Sequence, residues 1–239
     1  MGALIIIIVL YQMALILSLE TSTKVCSVAV HKDGDLLSVY EFRVERSHSK
    51  LITQAISFLL SGLELKVTDL DAIAVSRGPG SYTGLRIGVS TAKGLCYALE
   101  KPLISVDTLA AMARKVNKFN FKDSLVCPMI DARRLEVYSA VYNKSNETIS
   151  PVSAVILNES SFGEFLSSNE IIFLGDGAAK FEPIVKHADN AFFLKSENPS
   201  AEYVGIIAEE KFSDKQFEDV AYFEPFYLKD FISTGSTPK

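Results

Sequence analysis

The stretch LILSLETSTKVCSVAVHKDGDLLSVYEFRV, residues 15–44, decides the fold. It divides into three apolar, β-rich runs, 15–21, 25–32 and 36–44, with short polar joints between them, the second joint holding Asp33-Gly34. Asp-Gly between such runs is a hairpin signal, because both residues accept a positive φ. The stretch therefore reads as a three-stranded meander. In SHSKLITQAISFLLSGL, Ser47 stands as N-cap, apolar residues recur at 51, 52, 55, 56 and 59, and Gly62 is a stop, which predicts an amphipathic helix. AIAVSR (72–77) is a short buried strand, residues 84–99 are helical, PLISV (102–106) is another strand, and Asp107 caps the helix TLAAMARKV. The first half is thus βββαβαβα.

Near residues 117–124 the apolar periodicity breaks, and a new β pattern begins with LVCPMIDA and LEVYSAVY. A boundary placed there gives a domain over 13–117 and a smaller one over 118–239. The smaller one takes two strands, an irregular segment, AVILN, a helix around 160–166, the strand IIFLGDG and a terminal helix over 201–212. No internal repeat of fixed period is visible. Residues 1–12 form an apolar extension, and no charge occurs before Glu20. That run approaches the ~20 residues of a membrane helix. It lacks flanking positive charge and is dense in β-branched residues, and residues 13–19 are needed as a strand. Met13 is accordingly read as the natural start, with no signal peptide and no membrane span.

A formal charge of −5 argues against a freestanding nucleic-acid binder, because phosphate affinity comes mostly from Lys and Arg. Three widely spaced cysteines without a CxxC suit a reducing cytoplasm. His31, His48 and His187 are the only histidines, and local sequence sets none of them in a metal or nucleophile motif. In RKVNKFNFK (114–122), Arg114, Lys115, Lys118 and Lys122 interleave with Phe119 and Phe121, which would suit RNA. A solvated helix end followed by a linker is the simpler reading. Asp131, Arg133, Arg134 and Glu136 read as the charged turn of a hairpin, a structural network.

The glycine segment RGPGSYTGLRIGVSTAKG, residues 77–94, is neither of the familiar phosphate loops. A P-loop needs a lysine after its last glycine, and a dinucleotide fingerprint needs its third glycine one residue earlier than Gly84. What remains is a strand–Gly-Pro-Gly–helix turn whose amides could face an anion, with Thr21, Ser22, Gly78 and Gly80 as weak cofactor candidates. Local chemistry favours glycines that only permit a tight turn. Along the following helix, Gly84, Gly88 and Ala92 share one face, with Thr91, Gly94 and Ala98 beside it. Such a stripe points to close approach by another backbone.

Four segments together resemble the TsaB family, also called YeaZ: LILSLETSTKVCSVAV, SRGPGSYTGLRIGVSTAKGL, PLISVDTLAA and DARRLEVYSAVY. The resemblance runs from about Met13 to the Pro225–Lys229 segment. It implies α/β architecture of the actin-like ATPase (ribonuclease H-like) fold, with two βββαβα-type halves and the second abbreviated. The implied role is a non-catalytic, cytoplasmic scaffold in threonylcarbamoylation of the adenosine beside the anticodon in tRNAs reading A-starting codons. The implied partners are a TsaD-like catalytic paralog and a TsaE-like ATPase, with a homodimer when alone and tRNA only through the complex. Where the paralog carries an HxxxH metal pair, this chain has Thr108 and Met112, so no metal is expected. No cofactor is expected either, apart from an opening for ATP or ADP at the partner interface. That interface is expected on Leu51, Ala55, Leu59, Leu85, Gly88, Val89, Ala92 and Leu95, from the two helices near 47–62 and 83–99. An ATPase or small-molecule kinase of the same fold is the rival, along with a direct tRNA-binding module and the peptidase suggested by older glycoprotease labels. For the last of these the sequence offers no protease constellation.

Overall fold

The computed structural model describes residues 14–43, 48–185 and 189–229. The readings of residues 1–12, of Met13 as the start, of Ser47 as a cap and of His187 lie outside these residues, as does the His48 side chain.

The first sheet is built from β1 (Leu15–Glu20), β2 (Cys26–Lys32), β3 (Asp35–Phe42), β4 (Ala72–Gly78) and β5 (Leu103–Asp107), in the order β3-β2-β1-β4-β5. β1 and β2 pair antiparallel, as do β2 and β3, while β4 runs parallel to both β1 and β5. The β2–β3 joint turns on Asp33 (φ 54) and Gly34 (φ 83). Asp33 and Ala14 exchange hydrogen bonds at 3.0 Å that close this end of the sheet. The helices of this half are α1 (His48–Gly62), α2 (Tyr82–Leu99) and α3 (Thr108–Asn117).

The second sheet takes β6 (Leu125–Asp131), β7 (Glu136–Tyr142), β8 (Thr148–Ile156), β9 (Ile171–Leu174) and β10 (Ala191–Leu194), in the order β10-β9-β6-β7-β8. With β6 in the place of β1, the pairing senses repeat those of the first sheet strand for strand. The repeat lives in the pairing pattern and not in residue identity. Its helices α4 (Gly163–Leu166) and α5 (Ala178–Phe181) have 4 residues each, against 15 and 18 in α1 and α2. β8 includes the segment read as irregular. It is an edge strand, where Pro151 removes no bond the sheet needs.

α1 and α2 cover one face of the first sheet, where Ile52, Ala55, Leu59, Val89 and Ala92 pack with Leu17, Leu19, Val28 and Val75. The other face is covered by α6 (Ala201–Ser213), through Tyr203, Val204, Ala208 and Phe212. α3 meanwhile packs on the second sheet, its Leu109, Met112, Ala113 and Val116 lying against Val126, Ile130, Ala140 and Leu174. The helix over 201–212, assigned from sequence to the smaller second half, therefore covers the first half. Gly205 decides this seat, since a Cβ there would stand 2.1 Å from His31 Nδ1 on β2. Periodicity reveals that a helix is amphipathic but not which sheet it covers. The two exchanged helices are joined by Arg114–Glu210 at 2.8 Å, and Lys115 pairs with Glu197 at 2.6 Å.

Candidate functional site

β4 runs into the glycine loop at Gly78, whose φ of +119 requires glycine, and Ser81 caps α2 by accepting from the Gly84 amide at 3.3 Å. The loop is filled by the chain itself. A Cβ would stand 2.7 Å from the Phe226 carbonyl oxygen at Gly78, 2.4 Å from that of Ser22 at Gly80, and 2.1 Å from that of Thr21 at Gly84. Thr21 Oγ1 donates to the Gly84 carbonyl at 2.8 Å, and the Ser81 amide donates to the Ser22 carbonyl at 2.6 Å. Three carbonyl oxygens thus crowd this loop, whereas an anion needs donors. Thr21, Ser22, Gly78 and Gly80 are brought together, but as packing partners rather than as a phosphate cradle.

Behind the loop lies Glu20, fully buried, with Oε1 accepting from the Ser22 amide at 2.6 Å. Its Oε2 and the buried hydroxyls of Ser18, Ser22 and Ser76 close no hydrogen bond among the described residues. Burial pushes the carboxyl above the usual glutamate range, although nearby hydroxyls and amides of Thr21, Ser22 and Ser76 oppose the shift. A buried carboxyl behind the loop adds no reason for an anion to bind.

At the next strand end, Asp107 occupies the cap position of α3 without capping it. Its carboxylate accepts from Arg77 Nε at 2.7 Å and Nη2 at 3.2 Å instead, a two-pronged pair stronger than a single cap bond. Lys211 donates to the Ser105 carbonyl at 2.7 Å and Ser105 to Glu218 at 2.5 Å, tying α6 and the C-terminal segment to β5. That segment continues over the loop. Lys93 donates to the carbonyls of Ala221 and Phe223, the Phe226 amide donates to the Arg77 carbonyl at 2.7 Å, and Tyr227 lies on Tyr82 with centroids 4.7 Å apart. Lys229 then pairs with Glu136 of the second half.

Thr108, the first residue of α3, and Met112, one turn on, are buried, and Met112 Cε would meet a Cβ at Gly175 at 2.8 Å. Met112 lies in the packing between the two halves. Among the described residues no three His, Cys, Asp or Glu side chains gather as metal ligands. Burial pushes the thiols of Cys26 and Cys96 to about 11 and about 12, moves Cys127 up as well, and lowers His31 to about 4. None of these groups is a poised nucleophile or base at neutral pH.

The exposed feature is the outer side of the α1–α2 pair. One groove of about 480 Å³ is lined by Thr53, Ile56, Leu60, Val67, Thr91 and Leu95, and a second, of about 450 Å³, by Ser49, Thr53, Tyr82, Arg86, Ile87 and Ser90. Of the eight residues expected at the interface, Ala55, Leu59, Leu85, Gly88, Val89 and Ala92 are buried in the domain's own core, while Leu51 and Leu95 are half-buried. The close approach read from Gly84, Gly88 and Ala92 is intramolecular: a Cβ at Gly88 would stand 2.3 Å from Thr21 Oγ1. The available surface is the adjoining stripe of Thr53, Arg86, Ser90, Thr91 and Gly94. Sequence missed it because an apolar stripe marks the sheet side of a helix, and the polar side carried no separate signal. The basic stretch 114–122 is largely neutralised, with Arg114, Lys115 and Lys122 paired to Glu210, Glu197 and Glu170.

Two sheets of the same topology, each with the order 3-2-1-4-5 and helices on their faces, define the actin-like ATPase (ribonuclease H-like) fold. The activator of the 2-hydroxyisocaproyl-CoA dehydratase from Clostridium difficile with bound ADPNP shares this fold, at a TM-score of 0.50 and 11% identity over 86% of this chain and 98% of that one. YeaZ from Pseudomonas aeruginosa is far more similar, at a TM-score of 0.78 and 28% identity over 90% of this chain and all 100% of that one. A family profile described as TsaD, tRNA N6-adenosine threonylcarbamoyltransferase, matches residues 42–232. In sequence, the tRNA threonylcarbamoyladenosine biosynthesis protein TsaB of Escherichia coli is 31% identical over 93% of this chain and 98% of its own length; that of Bacillus subtilis is 29% identical over 90% and 93%. The chain belongs to the TsaB (YeaZ) family. Among the described residues no helix is long and apolar enough to cross a membrane.

Proposed function

We propose that this chain is a non-catalytic scaffold subunit in threonylcarbamoylation of the adenosine beside the anticodon, position 37, in tRNAs reading A-starting codons. In this reading it pairs through the α1–α2 face with a TsaD-like catalytic subunit, recruits a TsaE-like ATPase, and touches tRNA only within the complex. The same face joins two copies when the partner is absent, since both assemblies would compete for one surface. The observation that carries the reading is the contrast between the two halves of the site. The glycine loop is filled by the chain's own carbonyls, while the outer side of the two longest helices stands open with two grooves along it. The names of the relatives supply the pathway.

The test uses Thr53→Arg and Ser90→Arg, two exposed groove positions where added bulk and charge leave the core untouched. Each variant should keep the wild-type melt and lose capture of the catalytic subunit by at least about tenfold, with overpacking at an interface costing on the order of 1–3 kcal/mol. Wild-type capture by the double variant would remove the α1–α2 face from the reading.

A further inference from the structure

The β6–β7 turn, Asp131–Glu136, presents two arginines at a backbone geometry that disfavours them. Arg133 (φ 73) and Arg134 (φ 50) are both in the left-handed region, which non-glycine residues adopt at a cost and which persists only where the surroundings over-determine it. The surroundings do so here. Asp131 Oδ1 accepts from the Arg133 amide at 2.6 Å and from Lys180 at 2.5 Å, Lys180 also donates to the Arg134 carbonyl at 2.6 Å, and the Leu157 amide donates to the Leu135 carbonyl at 2.7 Å. Apart from the Asp131–Lys180 ion pair, each of these bonds engages the backbone, and both arginine residues are exposed.

The charges of this turn divide into paired and unpaired groups, as those elsewhere in the chain do. Arg77, Arg114, Lys115 and Lys122 each have a carboxylate partner, and within the turn Lys180 pairs with Asp131 and Lys229 with Glu136. Neither the Arg133 nor the Arg134 guanidinium has an ion-pair partner among the described residues. At this turn Arg133, Arg134, Lys180 and Lys229 outnumber Asp131, Glu136 and the adjoining Asp176, whose carboxylate accepts from the Asp131 amide, in a chain whose formal charge is −5. The turn also lies beside the proposed partner face, since Lys229, paired to Glu136, is two residues from Tyr227, whose ring lies tilted against Tyr82 at the head of α2.

We propose that Arg133 and Arg134 bind phosphodiester groups of an RNA held by the complex, as two guanidinium forks carried on a fixed backbone that position the strand without reading its sequence. This rests on the scaffold reading above, because the RNA is brought to the turn by the partner docked on the adjoining helices. It places a direct RNA contact on the turn and not on the basic stretch 114–122, where Arg114, Lys115 and Lys122 are already paired and Lys118 alone of the four cations is not, among the described residues.

The test measures tRNA binding by the complex of this chain with its catalytic partner across salt, for wild type, Arg133→Gln/Arg134→Gln, and the paired control Arg114→Gln. Each lost phosphate contact should lower the slope of log affinity against log salt by about 0.7–0.9. The double variant should therefore lose between one and two units of slope while capturing the partner as wild type does, and the control should lose none. An unchanged slope overturns the proposal. So does weakened partner capture with an unchanged slope, the result expected if the arginines grip an acidic segment of the partner. If wild type itself captures no partner the scaffold reading falls, and the same slopes are read on the isolated chain with an anticodon stem-loop, where no difference overturns the phosphate contact. A second variant, Arg133→Gly/Arg134→Gly, relieves the backbone while removing both charges. It should melt no lower than wild type and lose the same slope; a lower melt would mean that the side chains serve the turn itself, overturning the proposal.

Discussion

Two glycines ten residues apart in α2 should respond to the same substitution with opposite signs. At Gly94 a Cβ meets nothing within 4 Å, so Gly94→Ala collects the helix-propensity gain of roughly 0.5–1 kcal/mol. At Gly84 the Cβ would stand 2.1 Å from the Thr21 carbonyl oxygen, a backbone atom that can yield only if the β1–β2 loop moves. Moving it disturbs the Thr21–Gly84 and Ser81–Ser22 hydrogen bonds, at about 1 kcal/mol each, on top of about 1–3 kcal/mol for overpacking. After the propensity gain is subtracted, Gly84→Ala should cost on the order of 2–4 kcal/mol. For a chain of this size about 2–4 °C of melting temperature accompanies each kcal/mol, so Gly84→Ala should melt lower by roughly 5–15 °C and Gly94→Ala slightly higher. Thermal melts followed by circular dichroism decide it. A Gly84→Ala variant as stable as wild type would refute the reading of the glycine loop as a seat for its own chain.

Two buried titratable groups give pH predictions of opposite sense. The folded state raises Glu20 above its ordinary value, so its contribution is present below the usual glutamate range and is lost as pH rises through the raised value. Glu20→Gln, which keeps an acceptor for the Ser22 amide, should match wild type in acid and exceed it in stability at pH near 7; denaturant midpoints finding the variant weaker at neutral pH would contradict this. His31 is lowered from 6.5 to about 4, so its neutral ring supports the fold above the unfolded value and that support is lost as pH falls through this window, by about 3 kcal/mol in total. His31→Leu should flatten the acid loss between pH near 6.5 and about 4, and an unchanged profile would assign the loss to other groups.

What the sequence revealed was local, and what it concealed depended on chain distance. The meander over 15–44 was legible because Asp33-Gly34 fixes a hairpin through its own φ preferences and the strands flanking it are neighbours. The glycine stripe of α2 was legible as a demand for close approach, but the atom that approaches, on Thr21, is 63 residues away from Gly84. Asp107 reads as a helix cap from its immediate neighbours, yet Arg77, 30 residues earlier, takes both oxygens. β10 was not foreseen because AFFL alternates half-buried and exposed residues on an edge, with too few positions to establish a period. On α1 and α2, Ala55, Val89 and Ala92 carry the apolar signal because they serve the sheet, while Thr53, Ser90 and Thr91, on the side left open, look like any solvated face.

The exchange of α3 and α6 between the sheets bears on the scaffold role proposed above. A site that must admit and release a ligand between two halves needs them to separate, and hinged domains rely on modest interfaces to do so. Here α6 lies buried against the first sheet and α3 against the second, and Arg114–Glu210 ties the two helices together. The C-terminal segment adds a second tie, running from Glu218 on β5 across the glycine loop to Lys229 on Glu136. Opening the halves would break both ties and expose the carbonyls now packed against Gly78, Gly80 and Gly84. That cost falls on any motion of the cleft but on none at the outer side of α1 and α2, whose counterparts α4 and α5 in the second half have shrunk to single turns. A closed cleft beside an intact pair of long helices is the arrangement expected of a subunit whose contribution is a rigid surface, and it is least compatible with one that must close around a substrate of its own.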